Sequence, residues 1–382
     1  MTERLFDRDS YLKSFEATVV SCEPEKDGYA LILDRTVFFP EEGGQSSDKG
    51  DINGVNVEKV TIKDDIITHH VKKAFEKGET VKGKIDWRHR FTNMQMHSGE
   101  HIFSGLVYKR FGFNNVGFHL SDNSATMDFD GKLSAQDIAG LEISVNGIIY
   151  ENRRINTYYP DAETLRNTEY RSKKDIAGPV RLVEIENTDI CACCAPHVRS
   201  TGEIGMFKIV SWENYKSGVR LNFLGGFRAF LDYSSKNEDL KAISTILSIK
   251  PGAELEGVEK VSNELKGTKS RLYASENLLI YSRVQSMKSS NEKPVIFLEK
   301  DQTANMKAAM EALHEAYDGT VAVFSGDEES GFKYYIESDS DDLHKISEKL
   351  KNEFGAKGGG RPGSIQGSIN GAKKETILTL FA

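Results

Sequence analysis

The stretch Phe91-Thr92-Asn93-Met94-Gln95-Met96-His97-Ser98-Gly99-Glu100-His101-Ile102-Phe103-Ser104-Gly105-Leu106 decides how the chain divides. Phe91, Met94, Gln95, His97, Ser98, His101, Ile102 and Leu106 recur at helical spacing, which predicts a helix from Trp87 to about Gly112. Residues 1–85 read differently. Glu16–Val20 and Tyr29–Asp34 alternate with a period of two, and Gly28, Gly43-Gly44, Gly50 and Gly54 punctuate them. A small β-barrel or sandwich is expected there.

Beyond the helix the pattern mixes. A strand is expected over Ala125–Phe129, a helix over Gln136–Arg153 and a strand over Val180–Ile185. Two further strands are expected near Phe207–Trp212 and Val219–Phe223. This unit, 86–234, is expected to close near Tyr233. Residues 235–290 are polar and helix-prone, broken at Pro251-Gly252. Leu255, Val258, Val261, Leu265, Leu272 and Leu278 suggest a helical hairpin or short coiled coil. Residues 291–382 alternate strand and helix patterns and read as an α/β domain. It carries Gly358-Gly359-Gly360-Arg361-Pro362-Gly363 and a last strand over Thr376–Phe381. The expected class is therefore α+β: barrel subdomain, α+β core, helical linker and C-terminal α/β domain.

The chain has 382 residues, enough for several cores. A net charge of −8 gives no global positive field for nucleic acid, so any such contact must be local. The local basic candidates are Arg88-His89-Arg90, Arg153-Arg154, Lys173-Lys174, Lys357 and Lys373-Lys374. The start has no apolar signal region and no apolar run has membrane-spanning length, which points to a cytoplasmic chain with no membrane partner. Three of the four cysteines fall within Cys191–Cys194. In a reducing compartment that clustering beside a histidine suggests metal.

His97 and His101 are four apart, so on a helix they share one face, about 5–6 Å between Cβ atoms. Cys193 and His197 repeat that spacing about a hundred residues on. Two N/S ligands from each motif make the four of a zinc site. Cys191 and Cys194 compete with Cys193 for the sulfur position, and Pro196 stiffens the loop. Four protein ligands normally close a structural site, whereas catalytic zinc keeps a position open. Glu100, inside the first motif, is a candidate general base. His97–His101 also fits the H-x-x-E-H pattern of inverted zinc peptidases, but those need a distant glutamate where this chain offers Cys193 and His197.

With both halves in view, nearly the whole chain resembles the free-standing alanyl-tRNA editing hydrolases, relatives of the editing region of alanyl-tRNA synthetase. Phe39–Gly50 is similar to their glycine-rich motif, His97/His101 to their HxxxH pair and Cys193/His197 to their CxxxH pair. Thr201–Gly205 with Phe207–Ile209 resembles the segment after their metal loop. Lys357–Pro362 resembles the signature of the DHH-associated domain that ends the long form. The resemblance implies Zn2+ on His97, His101, Cys193 and His197. It implies deacylation of tRNA(Ala) carrying serine, or glycine, in the service of translation fidelity. It also implies tRNA, nucleotide and ATP binding, and pairing as a homodimer through the C-terminal region. It implies substrate or RNA contact by Gly43, Gly44, Gln45, Gly359, Gly360 and Arg361. The aminoacylation domain is expected to have no counterpart. A non-catalytic tRNA-binding module with structural zinc is the competing reading.

Two departures stand out. Cys193-Cys194-Ala195-Pro196-His197 replaces the Cys-Gly-Gly-Thr-His of many relatives. Phe118 stands where some carry Gln or Thr, so His119 is expected to take the polar role. Thr92, Gln95 and His119 are the candidates for a group that an alanyl ester would leave unpaired.

Overall fold

The computed structural model describes residues 1–122, 124–172, 178–339 and 343–381. The chain divides into two compact units, Met1–Asp239 and Leu240–Ala382.

In the first unit six antiparallel strands close a barrel. Its spatial order is Ser14–Glu25, Gly28–Leu33, Ile66–Val71, Val55–Lys63, Gly50–Ile52 and Thr80–Ile85, and the last pairs back onto the first. The alternation along Ser14–Glu25 turns Phe15, Ala17 and Val19 inward, where they meet Leu31, Leu33, Val60 and Val81. His69 is enclosed in this core, with Nε2 2.9 Å from Thr36 Oγ1.

The helix Trp87–Phe111 leaves the barrel. Asp86 caps its start by accepting from His89 N, and Gly112 ends it in the left-handed region. Its middle is buried on every side, so it is a core helix and not an amphipathic surface one. One side meets a four-stranded antiparallel sheet ordered Phe207–Tyr215, Gly218–Gly225, Ala125–Phe129, Asn115–Leu120. Gly99 permits this approach, since a Cβ there would lie 2.8 Å from the Phe207 ring. A helix, Ala135–Tyr150, and a three-stranded sheet of Ile155–Tyr158, Leu182–Ile185 and Asp189–Ala192 complete the layer. The helix and the barrel are bolted by a fully buried ion pair, Arg90–Asp48, with Arg90 Nη1 also donating to Ser10 O.

The first unit ends at Asp239, inside a helix that runs unbroken over Gly226–Leu247. In the second unit Glu254–Ser289 is one long helix. The following five-stranded sheet is ordered Val295–Leu298, Thr320–Asp327, Gly331–Ser338, Ser364–Ile369, Lys357–Arg361. Only its first pair is parallel, so the α/β expectation for this segment is corrected to α+β. Thr376–Phe381 is not a strand either: Lys374–Leu378 is helical and Thr379–Phe381 a 3-10 turn. Its buried side chains, Ile377 and Leu380, are three apart, a helical spacing that outweighs the β-branched composition. Among the described residues no helix is long and apolar enough to cross a membrane.

Candidate metal centre

The helix Trp87–Phe111 carries His97 and His101 on one face, and the loop after the strand Asp189–Ala192 brings Cys193 and His197 against them. One ligand atom from each of the four lies within 4.8 Å of every other. Cys193 Sγ is 3.6 Å from His97 Nε2 and 3.5 Å from His197 Nε2. A tetrahedral zinc with ordinary bond lengths separates a sulfur and a nitrogen ligand by about 3.5 Å. Donor set and spacing therefore both fit zinc. The three imidazoles and Cys193 would hold it.

The surroundings choose the tautomers. Gln45 Oε1 accepts from His97 Nδ1 at 2.8 Å, which leaves the lone pair on Nε2, toward Cys193. Ser98 Oγ lies 2.9 Å from His197 Nδ1 and likewise turns Nε2 inward. Burial, then the neighbouring His97 and Arg181, hold His197 well below its ordinary pKa, in the neutral form a metal needs. Arg181 Nη1 donates to the carbonyls of Cys193 and Ala195 at 3.0 and 2.9 Å and fastens the loop. Ala195 N points at Cys193 Sγ at 3.5 Å, a favourable contact for a thiolate. Ala195 itself is buried in the barrel core, so the centre sits at the seam of the two cores of this unit.

The other cysteines differ. Burial pushes the Cys191 thiol up to about 12, and burial also raises Cys194. Cys191 forms a second donor group with His101 and Asp189, but Asp189 is taken by a bidentate pair with Arg171 at 2.7 and 2.6 Å.

Two family models match this chain: the threonyl and alanyl tRNA synthetase second additional domain over residues 180–221, and the class II (A) tRNA synthetases over residues 12–89. The first match contains the Cys193–His197 loop. An alanyl-tRNA editing protein of Mus musculus is 27% identical over 95% of this chain and 93% of its own length. An alanyl-tRNA editing protein of Pyrococcus horikoshii is 28% identical over 99% and 97%. The alanine–tRNA ligase of Ignicoccus hospitalis is 29% identical, covering 94% of this chain but 40% of the ligase. Over nearly its whole length this chain is similar to proteins named alanyl-tRNA editing proteins. The class II match falls on the barrel.

The remaining predicted residues scatter. Thr92 donates to Arg88 O at 2.7 Å, within its own helix. Gln95 is buried with both amide ends engaged, donating to Glu203 O at 2.8 Å and accepting from Phe227 N at 3.3 Å. His119 is exposed, and because strand side chains alternate it faces away from Phe118. Phe118 is the one at the centre, its ring 4.5 Å from that of His97. The polar role expected of His119 is thus not available to it. Glu100 is 1% exposed and accepts from Asn115 Nδ2 and from Ser104 Oγ at 2.6 Å. Both bonds go to Oε1 and anchor the helix to the strand Asn115–Leu120, while Oε2 lies 4.0 Å from His101 Nε2, beside the centre.

The glycine loop does reach the centre. Gly44 has φ +85°, and a Cβ there would lie 2.3 Å from Phe118 O. A Cβ on Gly43 would lie 3.5 Å from Cys194 Sγ. The Gln45 side chain holds His97. Asp48 does the local work, accepting from Phe39 N at 2.7 Å. Gly359, Gly360 and Arg361 form an exposed edge strand in the other unit. Of the basic candidates, Arg90 is buried in its ion pair and His89 lies 2.9 Å from Asp122. Lys173-Lys174 lie outside the described residues. Ser98 and Arg181 were missed. Ser98 had one signal, its place inside the histidine motif.

Proposed function

We propose that this chain hydrolyses the ester joining a wrongly attached amino acid to tRNA(Ala), serine foremost and glycine second. Water adds to the ester carbonyl, the bond to the ribose oxygen breaks, and free amino acid and tRNA leave. The observation that carries the reading is the convergence of His97, His101, Cys193 and His197 in a chain whose relatives are named alanyl-tRNA editing proteins. Zinc bound there would polarise the carbonyl or orient the attacking water. The chain's own part is to hold neutral imidazoles through Gln45 and Ser98, and to wall the site with Phe118 and the glycine loop. Half-buried Cys193 leaves a face of the cluster reachable.

A peptidase of the H-x-x-E-H type is disfavoured, because Cys193 and His197 complete the donor set where that type needs a distant glutamate. In the same reading, 1–85 and 86–234 form the editing module, 235–290 a linker and 291–382 a DHH-associated domain. Exposed Lys357 and Arg361 of that domain meet RNA, and the exposed row Leu255, Val258, Leu265 and Leu272 pairs with a second copy. A cytoplasmic site of action goes with this substrate. The test is release of amino acid from Ser-, Gly- and Ala-tRNA(Ala), with and without a chelator. Chelator-sensitive release of serine is expected. Tight tRNA binding with no turnover of any ester overturns the enzyme reading.

A further inference from the structure

Serine exceeds alanine by one hydroxyl, so an editing site needs a polar group that only serine satisfies. Thr92 and Gln95 are bonded elsewhere and His119 faces away. We infer that Gln45 is the residue that reads the amino-acid side chain, a conclusion that rests on the proposed editing reaction.

Gln45 is fully buried. Its Oε1 is committed to His97 Nδ1 at 2.8 Å, which fixes the rotation of the amide and the direction of its other end. That end, Nε2, is buried and has no hydrogen-bond partner among the described residues. Glu42 Oε2 and Ser46 Oγ on the same loop are also buried without a partner. Three such atoms on five consecutive residues are not what a turn built only for folding leaves behind.

The loop is also rigid. Gln45 N donates to Glu42 O at 3.1 Å, Ser46 N to Leu120 O at 2.8 Å and Leu120 N to Gly44 O at 2.7 Å. Gly43 and Gly44 are exposed and carry no side chain to block the approach past Cys194 and Phe118. Gln45 therefore touches a metal ligand with one atom and offers a fixed donor beside it with another. A seryl Oγ accepts from Nε2. An alanyl or glycyl ester leaves that donor unpaired, which disfavours its hydrolysis on the order of 10- to 100-fold.

The experiment compares seryl-tRNA(Ala) with 2-aminobutyryl-tRNA(Ala), which has the same shape but a methyl in place of the hydroxyl. Both are given to the wild type and to Gln45→Met at saturating zinc. Zinc affinity is measured separately by chelator competition, and folding by circular dichroism. The wild type is expected to cleave the seryl ester faster by about 10- to 100-fold. Gln45→Met is expected to bring the two rates within about threefold of each other, and to weaken zinc on the order of tenfold through His97. A variant that slows both esters equally, with the ratio intact, marks a merely structural residue and overturns the inference. So does a wild type that treats the two esters alike. A wild type that cleaves neither ester overturns the editing reading as well.

Discussion

Ser98→Ala isolates the support of one imidazole. The hydroxyl lies 2.9 Å from His197 Nδ1 and also meets Val198 N at 3.4 Å. Both Ser98 and His197 are buried, so no bulk water replaces the lost oxygen. Removing it frees the ring to rotate and removes the bias that keeps the Nε2 lone pair toward Cys193. Losing a partner of this kind lowers metal affinity on the order of 10- to 100-fold. That corresponds to about 1.4–2.8 kcal/mol, the range expected for a buried group left unpaired. Alanine also suits the helix interior better than serine, so the fold is expected to survive. Titration of zinc against a chromophoric chelator measures the loss, and cobalt substitution reports the ligand geometry by its visible spectrum. Zinc affinity within about twofold of wild type, with an unchanged cobalt spectrum, refutes the claim that Ser98 orients His197.

Gly44→Ala must place a Cβ 2.3 Å from Phe118 O at a φ of +85°. The loop has to shift, at a cost of about 1–3 kcal/mol, and Gln45 moves with it. A lower denaturation midpoint together with weaker zinc binding is expected, and an unchanged midpoint counts against the close approach. Burial in the barrel lowers the His69 pKa to about 4. The unfolded chain then binds more protons between pH 4 and 6.5, so stability falls as pH drops through that window. From pH 7 to pH 5 the loss from this one group is about 2 kcal/mol. Urea midpoints at the two pH values should differ less in His69→Gln than in the wild type; equal slopes would refute the assignment.

Much of this was legible in the residues themselves. The helix around His97 and the strand Ala125–Phe129 lie where the residue pattern predicted them, although both are buried on more than one face. The tail misled, since Thr376–Phe381 has strand composition but packs as a helix. The glycine run at 358–360 carries no strand pattern of its own, yet pairing with Ser364–Ile369 makes it a strand. The second unit misled on layer type, because strand and helix patterns alternate whether or not the strands run parallel.

By itself the sequence determined the ligand chemistry: i, i+4 spacing puts two imidazoles on one helical face whatever surrounds them, and Cys193 with His197 supplies the matching pair. Only the tertiary structure decided which side chains serve that centre. Gln45 comes from the barrel, 52 positions before His97, and Phe118 rather than His119 faces it. Covalent spacing constrains neighbours a few residues apart, whereas partners distant in the chain are chosen by how the two cores close around the loop.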